Sequence, residues 1–217
     1  FSGQMHGLVA VDRNGKLVRD AIIWADQRVG EKEMDAIYGQ AGRESIHETA
    51  LNDLASGFLL CSLIWMKENE PENYSRTFQV LLPKDYIRFR MCGRLGTDHS
   101  DASATMAFDV RKRQWAWEIL DRLGLEKSLF PESHEAWETA GELLPGPAAE
   151  MGLKPGIPVT YGGGDSLMQE IGNGVASAAD PWICNIGTSC SLNCAVETPV
   201  FDRKFRTNTF CRILKSH

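Results

Sequence analysis

Short apolar runs alternate with helical stretches along this chain, and Gly, Pro or Asn mark most of the boundaries. His6-Gly7-Leu8-Val9-Ala10-Val11-Asp12 and Lys16-Leu17-Val18-Arg19 flank Arg13-Asn14-Gly15. An Asn-Gly pair between apolar runs predicts a hairpin. Ala21-Ile22-Ile23-Trp24 reads as a further short strand. Residues 28–38 carry Val29, Met34 and Ile37 at helical spacing, and 57–67 read as an apolar helix with Phe58, Leu60, Leu63, Ile64 and Trp65. Val80-Leu81-Leu82 is a short buried strand. Pro83 stands where a helix can start, and 85–92 run to Gly93, a residue suited to the position just past a helix. Residues 98–108 are small and polar and predict a ligand-facing loop followed by a helix, while 114–123 are amphipathic and stop at Gly124. A longer connection over 131–156 holds a short helix at 148–151. Ile157-Pro158-Val159-Thr160-Tyr161 then predicts a buried strand. A helix over 166–172, a second buried strand at Trp182-Ile183-Cys184-Asn185-Ile186, a turn region over 196–203 and a last strand over 207–214 complete the pattern. Strands and helices in alternation define an α/β chain. A shift toward Gly, Ala and Asn over 172–180 is the best candidate for a hinge or domain boundary.

Composition narrows the class by exclusion. The chain has 217 residues, 43% hydrophobic and 24% charged, which suits a globular protein of one large domain or two small ones. The net charge is −6 and basic residues are scattered, which argues against a nucleic-acid or anionic-membrane partner. No apolar run approaches bilayer length, and no secretory signal opens the chain. The six cysteines form no CxxC pair and meet no His at zinc spacing, so no metal ligands are assigned. They read as mostly buried free thiols of a reducing, cytoplasmic compartment. The chain opens without Met and closes on apolar Phe210-Cys211-Arg212-Ile213-Leu214, so both ends look cut and a longer protein is expected.

Candidate chemistry lies in two strand-to-glycine transitions. The first is Tyr161-Gly162-Gly163-Gly164-Asp165. Glycines let a ligand approach the backbone closely, and the carboxylate after them stands where the cleft of an open α/β sheet forms. An acid there can take the proton of a hydroxyl nucleophile; the plain alternative is a tight turn with a solvated Asp. The second is Ile186-Gly187-Thr188-Ser189, whose amides and hydroxyls can hold phosphate oxygens. It is not a P-loop, because GxxxxGK[ST] is absent. An acid followed by a phosphate cradle is what phosphorylation of a hydroxyl needs.

Several runs then resemble one family. Ser2-Gly3-Gln4-Met5-His6-Gly7 is similar to the SGQMHG of xylulose kinases in the FGGY carbohydrate kinase family. Trp24-Ala25-Asp26-Gln27-Arg28, Leu81-Leu82-Pro83-Lys84-Asp85-Tyr86, the 97–103 and 108–113 segments, the GGGD run and the IGTS turn keep the family's order over nearly the whole chain. The resemblance implies a ribonuclease-H-like, actin-like ATPase fold. It implies a partial two-domain sugar kinase, with 1–174 in the N-terminal sugar-binding domain and 175–217 opening the C-terminal nucleotide-binding domain. It implies transfer of a phosphoryl group from ATP, with Mg²⁺, to D-xylulose. Asp165 would be the general base; Met5, His6, Asp26 and Ser166 would bind the sugar; Gly187, Thr188 and Ser189 would sit by the nucleotide phosphates. A homodimer is a further expectation, and the 217 residues alone are expected to be inactive.

The sequence departs from the family where sugar contacts are implied. Ala25 stands for the Asn of WNDQR, and Ser166 for the Asn of GGGDN. The family's GF[ST]xPKLLW helix reads Gly57-Phe58-Leu59-Leu60-Cys61-Ser62-Leu63-Ile64-Trp65, without its Pro and Lys. A serine offers one hydroxyl where asparagine offers an amide. A kinase for another ketose or polyol, and a non-catalytic sugar-binding relative, stand beside the xylulose reading. Asp85, Asp98 and Asp101 read as helix caps or surface charges of mainly structural use.

Overall fold

The computed structural model describes residues 1–186 and 190–214. The chain opens with β1 (Ser2–Gly3) and β2 (Val9–Val11), and β2 pairs antiparallel with β3 (Gln79–Leu81). The predicted turn at Arg13-Asn14-Gly15 forms: Asp12 Oδ1 accepts from the amides of Asn14 and Lys16, and Gly15 takes φ +71°. Its second arm is a single bridge, Val11 to Leu17. The 21–24 segment likewise contributes only the bridge between Leu8 and Ile22, and forms no strand.

Four helices lie between β2 and β3: α1 (Glu31–Ala41), α2 (Arg43–Ala50), α3 (Leu59–Asn69) and α4 (Pro71–Arg76). The first starts three residues later than the apolar spacing predicts. Asp26 takes the Arg28 amide and closes a turn there, and Glu33 Oε2 accepts from the Gly30 amide at 2.9 Å to begin the helix. α3 starts two residues later than predicted, after an extended Phe58, and Gly57 before it lies against the Trp24 carbonyl, where a Cβ would come within 1.8 Å of the oxygen. The main core joins these helices through Ile37, Ile46, Leu60, Leu63, Phe108 and Trp115.

α5 (Pro83–Cys92) has the predicted ends, with Pro83 in its first turn and Gly93 in the left-handed region after it. β4 (Thr97–Asp98) leads directly into α6 (His99–Ala102) and a 3₁₀ turn at Ser103–Thr105, followed by β5 (Phe108–Asp109). This corrects the expectation of a ligand-facing loop over 98–108. Ser100, Asp101, Ala102, Ser103 and Thr105 are all buried, and the residues are small because the segment is packed. β6 (Gln114–Trp115) pairs with β5 across a turn, so the predicted 114–123 helix is shortened to α7 (Trp117–Arg122). β7 (Ser133–His134) runs parallel to β4. β8 (Thr139–Glu142), α8 (Pro145–Met151) and β9 (Pro158–Thr160) follow, with β9 antiparallel to β8. β10 (Gly163–Gly164) and α9 (Asp165–Gly172) carry the candidate acid.

The last paired elements are β11 (Ile183–Ile186) and β12 (Cys190–Asn193), an antiparallel ribbon. The sequence predicts a buried strand at 182–186. Instead Trp182, Ile186 and Leu192 are 65%, 78% and 60% exposed, because the ribbon pairs only with itself among the described residues. Cys184 and Cys190 are exposed for the same reason, whereas Cys61, Cys92 and Cys211 are buried, so the reading of mostly buried thiols holds for half of the six. Among the described residues, 207–214 form no strand. Side chains satisfy this backbone where a ladder would have done so: Asn52 brackets Thr209 with two hydrogen bonds, and Ser103 Oγ accepts from the Cys211 amide at 2.8 Å. No helix of the described residues is long and apolar enough to cross a membrane.

Candidate active site

Two glycine strands meet the start of a helix at the centre of the site. β1 and β10 run parallel, with Ser2 opposite Gly163 and Gly3 opposite Gly164. The packing there leaves no room for side chains. A Cβ on Gly3 would lie 2.9 Å from that of Lys84 on α5, and one on Gly164 would lie 2.8 Å from the Met5 side chain. Gly162 has φ +73°, and its position is what turns the chain out of β9 and into β10. The strand predicted over 157–161 forms as β9 at Pro158–Thr160, and β10 follows it after Gly162 with a different partner. Ile157 is exposed, while Val159 and Tyr161 are buried. Asp165 follows at once in the first turn of α9, where the helix dipole favours a carboxylate.

Asp165 is exposed, and Ser166 holds one of its oxygens. The Ser166 amide donates to Oδ1 at 2.7 Å and the Ser166 hydroxyl reaches the same atom at 3.4 Å. His6 approaches from β1. Its backbone takes φ +71°, uncommon for a residue with a side chain. Its Nδ1 lies 2.8 Å from the Ala104 carbonyl. A carbonyl only accepts, so Nδ1 carries the proton and Nε2 keeps a lone pair for a ligand hydroxyl. The ring packs on Phe58 at 4.5 Å and Phe210 at 5.8 Å between centroids. Burial holds the imidazole below its ordinary pKa, against the raising effects of the Ala104 carbonyl and the nearby Asp165 charge, so His6 is neutral at pH 7. Met5 is buried with Ala104, Leu167 and Ile213, and supports Gly164 from the apolar side.

Asp26 is engaged differently from these residues. Arg28 grips both its oxygens at 2.8 Å, and the guanidinium lies over the Trp65 ring. Hydrogen bonding from Arg28 holds the Asp26 carboxyl below its usual range. The loop it closes packs on Gly57, next to the Phe58 that touches His6. The structure thus brings Met5, His6, Asp165 and Ser166 together and sets Asp26 in a flanking clasp. Gly187, Thr188 and Ser189 lie outside the described residues.

A buried charge cluster beneath β1 and β10 was not apparent as such from the sequence. Lys84 Nζ lies 2.6 Å from Asp85, 2.9 Å from Asp98 and 3.5 Å from Asp101, and Arg88 reaches Asp85 at 3.5 Å. All five side chains are buried. Asp98 is the helix cap the sequence suggested, accepting from the Ser100 amide, but none of the three acids is a surface charge. The one available signal was their crowding beside Lys84 within motifs rich in small residues. Burial raises the Asp101 carboxyl well above the usual range; Lys84 opposes this, and the neighbouring Asp85 and Asp98 add to it. A proton on Asp101 would leave two cations, Lys84 and Arg88, facing two anions, Asp85 and Asp98. A native-state pKa raised above the unfolded one means that folding takes up a proton, so stability falls as pH climbs through that window, upward from about pH 4. Asp101→Asn should remove this slope. Thermal unfolding from pH 4 to 8 should show the variant gaining on the parent as pH rises; parallel curves would refute the assignment.

Among the described residues no group of three or more His, Cys, Asp or Glu could hold a metal ion, so no Mg²⁺ ligands are assigned to them. A surface cavity of about 550 Å³ is lined by Glu48, Asp109, Arg111, Lys112, Phe201 and Arg203. It includes none of the predicted site residues; the backbone and side-chain geometry around Asp165 is the better guide to chemistry.

Comparison with known proteins identifies the family and the fold. The sequence profile of the FGGY family of carbohydrate kinases, N-terminal domain, matches residues 1–172. The xylulose kinase of Bacillus subtilis is 37% identical over 191 residues, covering 87% of this chain and 37% of that protein. A crystal structure described as a "xyloylose kinase" from Brucella ovis superposes with a TM-score of 0.87 at 30% identity, over 98% of this chain and 43% of that one. A gluconate kinase from Lactobacillus acidophilus shares the fold, with a TM-score of 0.86 at 22% identity over 96% of this chain and 44% of that one. The chain therefore spans well under half the length of the proteins it matches. The mixed α/β architecture is that of FGGY sugar kinases, the actin-like ATPase fold that the sequence resemblance implies. A profile match over most of the chain, joined to this shared fold, places the chain in the FGGY family of carbohydrate kinases.

Proposed function

We propose that the protein carrying this chain transfers the γ-phosphoryl group of ATP to D-xylulose, giving D-xylulose 5-phosphate and ADP. Residues 1–174 belong to its sugar-binding domain and 175–217 open its nucleotide-binding domain. The observation that carries this reading is the approach of His6 to Asp165 beyond the parallel strands β1 and β10, in a chain 37% identical to a xylulose kinase. In the reaction, the 5-hydroxyl proton of the sugar passes to Asp165 as the oxygen attacks the γ-phosphorus. The bond from that phosphorus to the β,γ-bridging oxygen breaks, and ADP leaves. Ser166 fixes Oδ1 of the base, so Oδ2 takes the proton. His6 Nε2 accepts from a second sugar hydroxyl, and Met5 seats Gly164 beneath it. Asp26 orders the loop at the flank. Gly187, Thr188 and Ser189 hold phosphate oxygens, and Mg²⁺ neutralises the triphosphate when bound.

A second reading, a kinase for another ketose or polyol, is favoured by Ala25 and Ser166, which replace amide side chains of the family. A lost hydrogen bond costs about 0.5–1.5 kcal/mol. D-xylulose should therefore be turned over, with weakened discrimination against related ketoses. The test offers the full-length protein ATP with pentuloses, hexuloses and polyols in turn. Exclusive turnover of D-xylulose would contradict the weakened discrimination. Turnover of a different sugar alone would favour the second reading. No turnover of any would favour a non-catalytic sugar-binding protein.

A further inference from the structure

We propose that Ser100 is a positioning residue for Asp165, linking the backbone just before the acid to the buried Lys84–Asp98 pair. This rests on the reading of Asp165 as the base. Successive amides of a strand point to opposite edges. In β10 the Gly163 amide donates to the Phe1 carbonyl on the β1 side, at 3.1 Å. The Gly164 amide points to the other edge, and Ser100 Oγ receives it at 3.1 Å in a buried contact. That hydroxyl donates in turn to Asp98 Oδ2 at 2.5 Å, and the same oxygen accepts from the Ser100 amide at 2.7 Å. Asp98 Oδ1 is paired with Lys84 Nζ at 2.9 Å.

The direction of every bond in this relay is fixed. An amide can only donate, so Ser100 Oγ accepts from Gly164 and must give its own proton to the carboxylate. Ser100 is 1% exposed, Asp98 0% and Lys84 2%. Little water can therefore replace a lost partner, and a buried amide without one is costly. The contact is also close packed: a Cβ on Gly163 would lie 3.0 Å from Ser100 Oγ. The backbone leading into Asp165 thus hangs from Ser100 through the Gly163–Gly164 peptide and from the start of β1 through the Gly162–Gly163 peptide. Its loosening moves the carboxylate relative to the sugar hydroxyl without touching either substrate.

A misplacement of about 1 Å far from the chemistry can cost up to 10²-fold in rate. In the full-length protein, Ser100→Ala should lower kcat by about ten- to hundredfold, leaving KM for sugar and for ATP within twofold. Ser100→Thr, which keeps the hydroxyl, should recover kcat to within threefold. Because Ser100 acts through Asp165, adding Ser100→Ala to Asp165→Asn should lower kcat no further. Should Ser100→Ala not fold, Ser100→Cys carries the test, with the same split of kcat from KM at a smaller loss. Parental kcat in the Ala or Cys variant overturns the proposal. So does a matching rise in KM, a Thr variant as slow as Ala, or additive losses in the double variant. If instead Asp165→Asn keeps its kcat, it is the base assignment that fails.

Discussion

If Asp165 is the base proposed above, Asp165→Asn should lower kcat of the full-length protein by about 10²- to 10⁴-fold, the usual cost of removing a general base. The substitution changes little else. Asn keeps an oxygen that can accept from the Ser166 amide, as Asp165 Oδ1 does at 2.7 Å. The first turn of α9 loses a favourable charge at its N-terminus, worth about 0.3–1 kcal/mol. What disappears is the second carboxylate oxygen, the atom proposed to take the hydroxyl proton. Steady-state kinetics against sugar and ATP, with a thermal melt on the same preparation, separate the two effects. A variant folded like the parent with kcat within a factor of three would remove Asp165 from this role.

Gly162→Ala is expected to disrupt stability and activity together. Gly162 stands at φ +73°, where a residue with a side chain is strained by about 1–2 kcal/mol. Its new Cβ would also stand 2.1 Å from the Phe1 carbonyl oxygen and 2.8 Å from the carbon that bears it. Those are backbone atoms, so relief requires β1 and β10 to part. The strands lead into the His6 and Asp165 segments, and parting them would move these two residues apart. The loss should exceed about 2 kcal/mol, larger than the typical single substitution. Gly39→Ala is the control. It sits exposed within α1, where an added Cβ meets no atom within 4 Å, and should be stabilising by about 0.5–1 kcal/mol. Denaturant unfolding of both variants beside the parent decides; equal effects would contradict the geometry.

Local punctuation made parts of this fold legible from sequence. Pro83 and Gly93 bound α5 as predicted, because one supplies a fixed φ at a helix start and the other a left-handed residue at its end. The Asn14-Gly15 turn and the helix after Gly164 rest on equally local signals. What failed depended on distant partners. Residues 98–108 look like a polar loop, yet their polarity is used internally by Lys84, fourteen residues before Asp98. Residues 207–214 look like a strand, yet their amides are taken by Asn52 and Ser103. The 182–186 run is apolar enough for a core, but its burial depends on neighbours that the pattern does not name. In the candidate site, the GGGD run pointed to Asp165, and the SGQMHG run to Met5 and His6. Asp26, read as a possible sugar contact, is closed on Arg28, two residues away, a pairing that spacing alone does not reveal. Ser100 had no sequence signal beyond its place among small residues, since its role arises only when β10 passes beside it.

The most direct test of phosphoryl transfer to a sugar is the phosphorus spectrum of the reaction itself. Full-length protein is incubated with D-xylulose, ATP and Mg²⁺, and ³¹P resonances are followed with time. A phosphomonoester signal should grow in step with ADP, mole for mole, and should be absent when sugar is omitted. ADP appearing with inorganic phosphate and no sugar ester, or no consumption of ATP at all, would contradict a sugar kinase centred on Asp165.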